Sequence, residues 1–267
     1  MVEINVNGKV AVVTGGSRGL GLQCAEILIA NGASKVFVSS RGAAACEEAA
    51  KSLNELAKAE GQKGVAYGIA ADVSGEKGAR HLLAEVSKLT DKVDILIANA
   101  GASWGAPFEK HPEAALHKVL NLNVIGVFLC IQAFAPLLEH SGSDEDPSRV
   151  LIMASVAGLN TNFPGGAYGY LSSKAAVIHL GKVLATELGP KNITVNSLAP
   201  GFFPSKMSGG LLKSIGESMV AANPRKRLGE KQDIQNLTLF LCSKQASYIN
   251  GAVIPLDGGA HLAASKL

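Results

Sequence analysis

Seven short, nearly uninterrupted apolar runs punctuate the chain, at residues 10–13, 36–38, 65–69, 95–98, 150–153, 193–197 and 253–256. Runs of this length without polar alternation predict strands covered on both faces, as in a parallel sheet. Between them, 20–29, 44–59, 77–89, 112–138 and 170–188 have the length and composition of helices. Strand and helix alternate from end to end, which predicts serial βαβ units with right-handed crossovers, an α/β fold. The polar insert SGSDEDPS at 141–148 reads as an exposed loop ahead of a buried strand. The stretch 202–227 mixes Pro, Gly, Met and basic residues without a settled period. Because it follows a strand end, it reads as a movable segment that covers a substrate.

No internal repeat or compositional break divides the 267 residues, so a single domain over 1–267 is expected. Hydrophobic residues at 47%, charged residues at 18% and 30 glycines suit a globular α/β chain with many tight turns. Lys plus Arg total 25 against 22 Asp plus Glu, and the resulting formal charge of +3 is too small to point to nucleic acid. Cys24, Cys46, Cys130 and Cys242 lack metal-ligand spacing and read as packing thiols of a reduced intracellular protein; no metal site is expected. The N-terminal residues lack a signal-peptide pattern and no apolar run approaches ~18 residues, so neither export nor a membrane span is expected. The last three residues, Ser265, Lys266 and Leu267, form the tripeptide address read by the peroxisomal import receptor. They predict a peroxisomal location, with the cytoplasm as the alternative.

The segment VVTGGSRGLG follows the first apolar run and opens the first helix. Gly15, Gly19 and Gly21 allow a tight turn, close approach of a pyrophosphate to the backbone, and close helix–sheet contact. With Ser17, Arg18 and Leu20 they form the expected cradle of a dinucleotide. A carboxylate that would accept from a ribose 2′-hydroxyl is missing at the end of the second strand, where the sequence reads Ser39-Ser40-Arg41. Ser40, Arg41 and Arg18 suit a 2′-phosphate, so NADP(H) is expected in preference to NAD(H); either arginine could instead be plain solvated surface. Asp72 and Val73, after the third strand, offer a carboxylate and a small apolar surface to an adenine, or Asp72 caps the next helix.

A second concentration of chemistry lies at 155–174, SVAGLNTNFPGGAYGYLSSK. Tyr170 precedes Lys174 by four residues, which on a helix puts both on one face, where an ammonium can stabilise a developing phenolate. Tyr168, six residues from the lysine, points elsewhere. Taken singly, Ser155 caps a turn, Tyr170 fills a helix contact and Lys174 is solvated; their combination argues for proton handling.

In TGGSRGLG at 14–21, DV at 72–73, ANAG at 98–101, NVIG at 123–126, ASVAG at 154–158, YLSSK at 170–174 and NSLAPG at 196–201, the chain resembles the short-chain dehydrogenase/reductase family over almost its whole length. The resemblance implies a doubly wound Rossmann fold, a seven-stranded parallel sheet with helices on both faces. It implies a catalytic set of Asn123, Ser155, Tyr170 and Lys174, with Tyr170 as proton donor and Lys174 also on the nicotinamide ribose. The Asn123 backbone carbonyl would hold a water linking Lys174 to solvent. It further implies cofactor contacts at Asn99, Ala100, Gly101, Pro200, Gly201 and Ser205. Two departures stand out: Ala98 replaces a common Asn, and residues 161–166 lengthen the Ser155–Tyr170 separation, which Tyr168 would restore. Spacing to Lys174 still selects Tyr170.

The activity implied is NADPH-dependent reduction of a ketone, for instance a 3-oxoacyl thioester or another apolar carbonyl compound. Alternatives are oxidation of a secondary alcohol, a peroxisomal 2,4-dienoyl-CoA reductase, from which the intact Tyr170–Lys174 pair detracts, and a non-catalytic NADPH-responsive scaffold. Trp104, Phe163, Phe202, Phe203, Met207 and Leu211 are the apolar candidates for substrate contact, an aromatic among them being alternatively core or interface packing, and Lys206 faces either an anionic substrate or water. The helices at 112–138 and 170–188 and the segment SYINGAVIPLDGG resemble the family's two subunit interfaces, so a homotetramer or a dimer is expected.

Overall fold

The computed structural model describes residues 4–161, 165–204 and 209–263, with the backbone alone over 209–215. Its seven strands are β1 (Val10–Thr14), β2 (Lys35–Ser40), β3 (Val65–Ala70), β4 (Ile95–Ala98), β5 (Ser148–Met153), β6 (Ile193–Pro200) and β7 (Val253–Leu256). All pair in parallel in the order β3-β2-β1-β4-β5-β6-β7. The order reverses between β1 and β4, creating the crevice at the strand C-termini where ligands of doubly wound sheets bind. Register aligns Thr14 with Ser39 on one side and Ala98 on the other, and Ala98 with Ile152. The residues that follow these positions therefore emerge along one edge.

The five inner strands bury both faces, which explains why their apolar runs do not alternate; the edge strands β3 and β7 are partly open, with Val65 of β3 exposed and no residue of β7 fully buried. Val10, Val12, Leu96, Val150 and Ile152 pack on one side with α3 (Glu76–Ser87), α5 (Gly126–Ser141) and α6 (Tyr168–Leu188). Their neighbours Ala11, Val13, Ile95, Ile97 and Leu151 pack on the other with α1 (Gly19–Ala30), α2 (Ala43–Ala59) and α8 (Lys231–Cys242). Cys24, Cys46, Cys130 and Cys242 are free and buried within these layers. Burial pushes the Cys24 and Cys130 thiols up to about 12. Among the described residues, no group of three or more His, Cys, Asp or Glu side chains is arranged to hold a metal.

The structure departs from the sequence pattern in three places. The helix expected at 112–138 is α4 (Glu113–Leu120) joined to α5 through a π-helical turn, Asn121–Ile125. This continuous run, Glu113–Ser141, is by length and composition long enough to cross a membrane, an 18-residue window within it reaching a mean hydropathy of 1.8, although polar residues such as Asn121, Asn123 and Gln132 interrupt its apolar stretches. Val127, Cys130, Ile131, Phe134 and Leu138 nevertheless lie in the core, against the sheet. Helix α6 begins at Tyr168, two residues earlier than expected. Within and after the aperiodic stretch lie α7 (Gly209–Ala222) and α8, the latter started by a capping box in which Glu230 and Asp233 each accept from the other's backbone. The tail 265–267 lies outside the described residues.

Candidate active site

The loop after β1 is built for close backbone approach. Gly15 and Gly19 have φ of +65° and +57°, and a Cβ at Gly21 would strike the Asn99 side chain. Asn99 Nδ2 donates to Thr14 O at 2.9 Å and Gly15 O at 3.1 Å, while Thr14 Oγ1 accepts from the backbone N–H groups of Asn99 and Ala100, both at 3.1 Å. Strand β4 and the glycine loop are thereby locked together. Arg18 is the exposed N-cap of α1, no side chain caps that helix, and its first turn holds no acid. Its first amides and the positive end of its dipole are suited to an anion. Ser17 and Leu20 are half-buried in the same loop.

Strand β2 delivers Ser40, half-buried, and Arg41, exposed, to the same edge. Beyond β3, Asp72 is exposed and accepts from Ser74 N at 3.1 Å, while Val73 is buried. Hydrogen bonds from Ser74 hold the Asp72 carboxyl below the usual carboxylate range, and the positive charge of Arg41 adds to the effect. The donors present fit a phosphorylated dinucleotide: an uncapped helix start for the pyrophosphate, two arginines and a serine near the ribose, and no carboxylate at the end of β2.

Across the switch point, Ser155 follows β5 in an extended conformation and caps a short turn, its hydroxyl accepting from Ala157 N at 3.1 Å. The same hydroxyl lies 3.4 Å from Pro200 O and hydrogen-bonds Tyr170. One turn along α6, Lys174 is buried; its Nζ donates to Met153 O at 2.6 Å and sits 5.6 Å from the centre of the Tyr170 ring. Burial lowers the Lys174 ammonium to about 8. It also raises the Tyr170 phenol, a shift opposed by the Ser155 hydrogen bond. In the protein alone, desolvation outweighs that hydrogen bond and keeps the proton on the tyrosine.

Asn123 sits in the π-helical turn with every side-chain atom engaged. Its Oδ1 accepts from Ala102 N at 2.8 Å, and its Nδ2 donates to Ala102 O and Ser173 Oγ, both at 2.9 Å. Ser173 in turn donates to Tyr170 O at 2.7 Å. The loop after β4, the π turn and the start of α6 are thus tied by one amide. The sequence reading gave Asn123 a role through its backbone carbonyl and missed this side-chain bridge, together with Thr14, Ser173 and the Met153 carbonyl. A hydroxyl ending a buried strand, at Thr14, and one three residues after Tyr170, at Ser173, are the signals that were legible.

Tyr168 is 44% exposed and meets Phe108 and His111 edge-on, at 5.7 and 5.6 Å between ring centres. Gly101 flanks the site; a Cβ there would lie 3.3 Å from Asn123 Oδ1 and 3.8 Å from Lys174 Nζ. Gly201, after Pro200, donates to Leu256 O at 3.0 Å. Trp104 is exposed, but Phe203 is buried in the core layer below α8, where a Cβ on Gly229 would strike its ring. Of its two readings, substrate contact or packing, the structure selects packing. Ser205, Lys206, Met207 and Phe163, and the Leu211 side chain, lie outside the described residues.

A family model described as enoyl-(acyl carrier protein) reductase matches residues 15–261. A short-chain type dehydrogenase/reductase from Mycobacterium marinum superposes with a TM-score of 0.86 at 30% identity, over 96% of this chain and 97% of that one. The chain belongs to the short-chain dehydrogenase/reductase family. Among its relatives, the rhamnolipids biosynthesis 3-oxoacyl-[acyl-carrier-protein] reductase of Pseudomonas aeruginosa is 42% identical over 257 residues, 96% of this chain and 97% of the relative. A structure of the Pseudomonas aeruginosa RhlG/NADP active-site complex has a TM-score of 0.90 at 41% identity, covering 97% of this chain and 98% of that one. Within this short-chain dehydrogenase/reductase, Gly166 O, at the end of the longer connection between Ser155 and Tyr170, accepts from Ala106 N at 3.3 Å and is thereby tied to the loop after β4.

Proposed function

We propose that the protein is an NADP(H)-dependent reductase of ketones, with 3-oxoacyl thioesters as the preferred class. The observation that carries this reading is the hydrogen-bonded connection of Ser155 to a protonated Tyr170 beside a buried Lys174. When bound, the reduced nicotinamide supplies a hydride to a carbonyl carbon. Tyr170 donates its phenolic proton to the carbonyl oxygen, and Ser155 hydrogen-bonds the same oxygen and fixes its direction. Lys174 holds positive charge beneath the ring as the phenolate forms, and orients the ribose. Asn123 holds Ala102 and Ser173 in place, so the loop after β4 and the first turn of α6 keep their distance through the reaction. Gly15, Ser17, Arg18, Gly19, Leu20 and Gly21 cradle the pyrophosphate; Ser40 and Arg41 bind the 2′-phosphate; Asp72 and Val73 border the adenine; Asn99, Ala100, Gly101, Pro200 and Gly201 wall the nicotinamide side, joined by Ser205.

The acyl preference is supported by the similarity to 3-oxoacyl reductases and by exposed apolar surface at Trp104 and Phe108. Self-association is supported by apolar side chains left exposed on α5 and α6, with Phe128 at 37% and Val183 at 53%. Initial-rate measurements with NADPH and NADH across 3-oxoacyl thioesters, simple ketones and dienoyl thioesters test the reading, together with NADP and secondary alcohols in reverse. A clear NADH advantage, or turnover of dienoyl thioesters alone, overturns it. Light scattering at assay concentration checks the assembly, and a stable monomer contradicts it.

A further inference from the structure

Cys46 lies in the first turn of α2 and is 1% exposed, yet its sulfur faces the polar ends of two strands. Ser40 N donates to Cys46 Sγ at 3.2 Å, and Ser40 Oγ lies 3.1 Å from the same sulfur. Ser40 O and Ile69 O stand within thiol hydrogen-bonding reach, at 3.6 and 3.5 Å. One side chain therefore touches three polar atoms of Ser40, the last residue of β2. Its backbone is equally constrained: Cys46 N donates to Gly42 O at 3.1 Å, and Gly68 of β3 has no room for a Cβ against Cys46 O. The backbone that carries the sulfur is thereby held between the start of α2 and β3.

We propose that Cys46 is a positioning residue for cofactor choice, holding the Ser40 hydroxyl in the orientation that donates to a 2′-phosphate. A serine hydroxyl at the rim of a sheet has three staggered rotamers and a freely turning proton. Contact with Cys46 Sγ selects the rotamer. When the thiol donates to Ser40 Oγ, the hydroxyl proton points away from the sulfur and is free to donate to a bound phosphate. Sulfur suits this role because, as a weak acceptor, it contacts the hydroxyl without competing strongly for its proton. The inference rests on the reading that Ser40 and Arg41 face the 2′-phosphate.

Dissociation constants for NADPH and NADH, measured on the full-length protein by fluorescence titration, test it as a double-mutant cycle of Cys46→Ala and Ser40→Ala. Loss of one oriented hydrogen bond predicts about fivefold weaker NADPH binding for Cys46→Ala, with NADH affinity changed less than about twofold. Cys46→Ser, which keeps a donor and an acceptor in place, brings NADPH affinity most of the way back. In the Ser40→Ala background, Cys46→Ala has no further effect, because the hydroxyl it orients is gone. Equal weakening of both cofactors by Cys46→Ala marks a purely structural residue and overturns the proposal, as does additivity with Ser40→Ala. If Ser40→Ala leaves NADPH affinity intact while Arg41→Ala reduces it, the proposal fails and the 2′-phosphate site stands. If neither Ser40→Ala nor Arg41→Ala separates the two cofactors, the 2′-phosphate reading falls with it.

Discussion

Replacing Lys174 with methionine is expected to abolish activity and yet stabilise the protein without cofactor. Burial takes the Lys174 ammonium from 10.5 to about 8, which corresponds to about 3 kcal/mol of penalty for holding the charge at neutral pH. Methionine fills nearly the same volume without charge, but leaves Met153 O without its 2.6 Å donor, a loss of about 1–2 kcal/mol. The net gain is about 1–2 kcal/mol, or a rise of about 2–8 °C in the thermal midpoint for a chain of this size. The pH dependence carries the sharper signature. Because the folded pKa lies below the unfolded one, the folded state binds fewer protons between about pH 8 and 10.5, and stability climbs with pH through that window. Below it the penalty is fully present, and the variant lacks the climb altogether. Denaturant titrations of both proteins at matched concentration across that range measure the difference directly. A Lys174→Met protein less stable than the wild type at neutral pH, or a difference that stays constant through the window, would refute the assignment of a buried charge to this position.

Tyr170→Phe should lower reductase kcat by about 10²- to 10⁴-fold with NADPH affinity retained, whereas Tyr168→Phe should stay near wild type in the same steady-state assay. For ketone reduction, kcat/KM is expected to be level below about pH 8 and to fall tenfold per pH unit above it as Lys174 loses its proton; a profile level to pH ~10 removes Lys174 from the proton-handling set. Asn123→Asp puts a carboxylate oxygen against Ala102 O and removes the donor to Ser173, so a loss of about 2–4 kcal/mol is expected in denaturant unfolding. Gly21→Ala sets a methyl against the Asn99 amide and should weaken cofactor binding measured by titration, because Asn99 also fixes Gly15.

The five inner strands were legible because each is buried on both faces, so hydrophobicity alone marks them; β3 and β7, partly open at the sheet edges, were legible from their apolar composition. The helices were legible in proportion to their exposed faces: 44–59 reads clearly against the structural Ala43–Ala59, while 112–138 conceals a π turn that no apolar period reveals. Helix α8 escaped because its start is signalled by Glu230 and Asp233 rather than by the Ser, Thr or Asn that usually mark an N-cap. At the site, spacing along one helix distinguished Tyr170 from Tyr168. Links across the fold were invisible for a physical reason: Thr14 to Asn99, Asn123 to Ser173 and Lys174 to Met153 join residues 85, 50 and 21 positions apart, and no local pattern encodes a partner that far away.

The π turn at Asn121–Ile125 sets a phase relation. A regular helix advances about 100° per residue, so one residue more or fewer in this turn would leave helical content almost unchanged while rotating α4 and Asn123 against the Phe134 and Leu138 stripe of α5. Deletion of a single residue there would barely change composition and hydropathy, and still turn either the amide away from Ala102 and Ser173 or the stripe away from the sheet. Catalytic geometry and core packing on this run are thereby keyed to each other by one residue count, so insertions and deletions between 113 and 141 should be tolerated far less than substitutions.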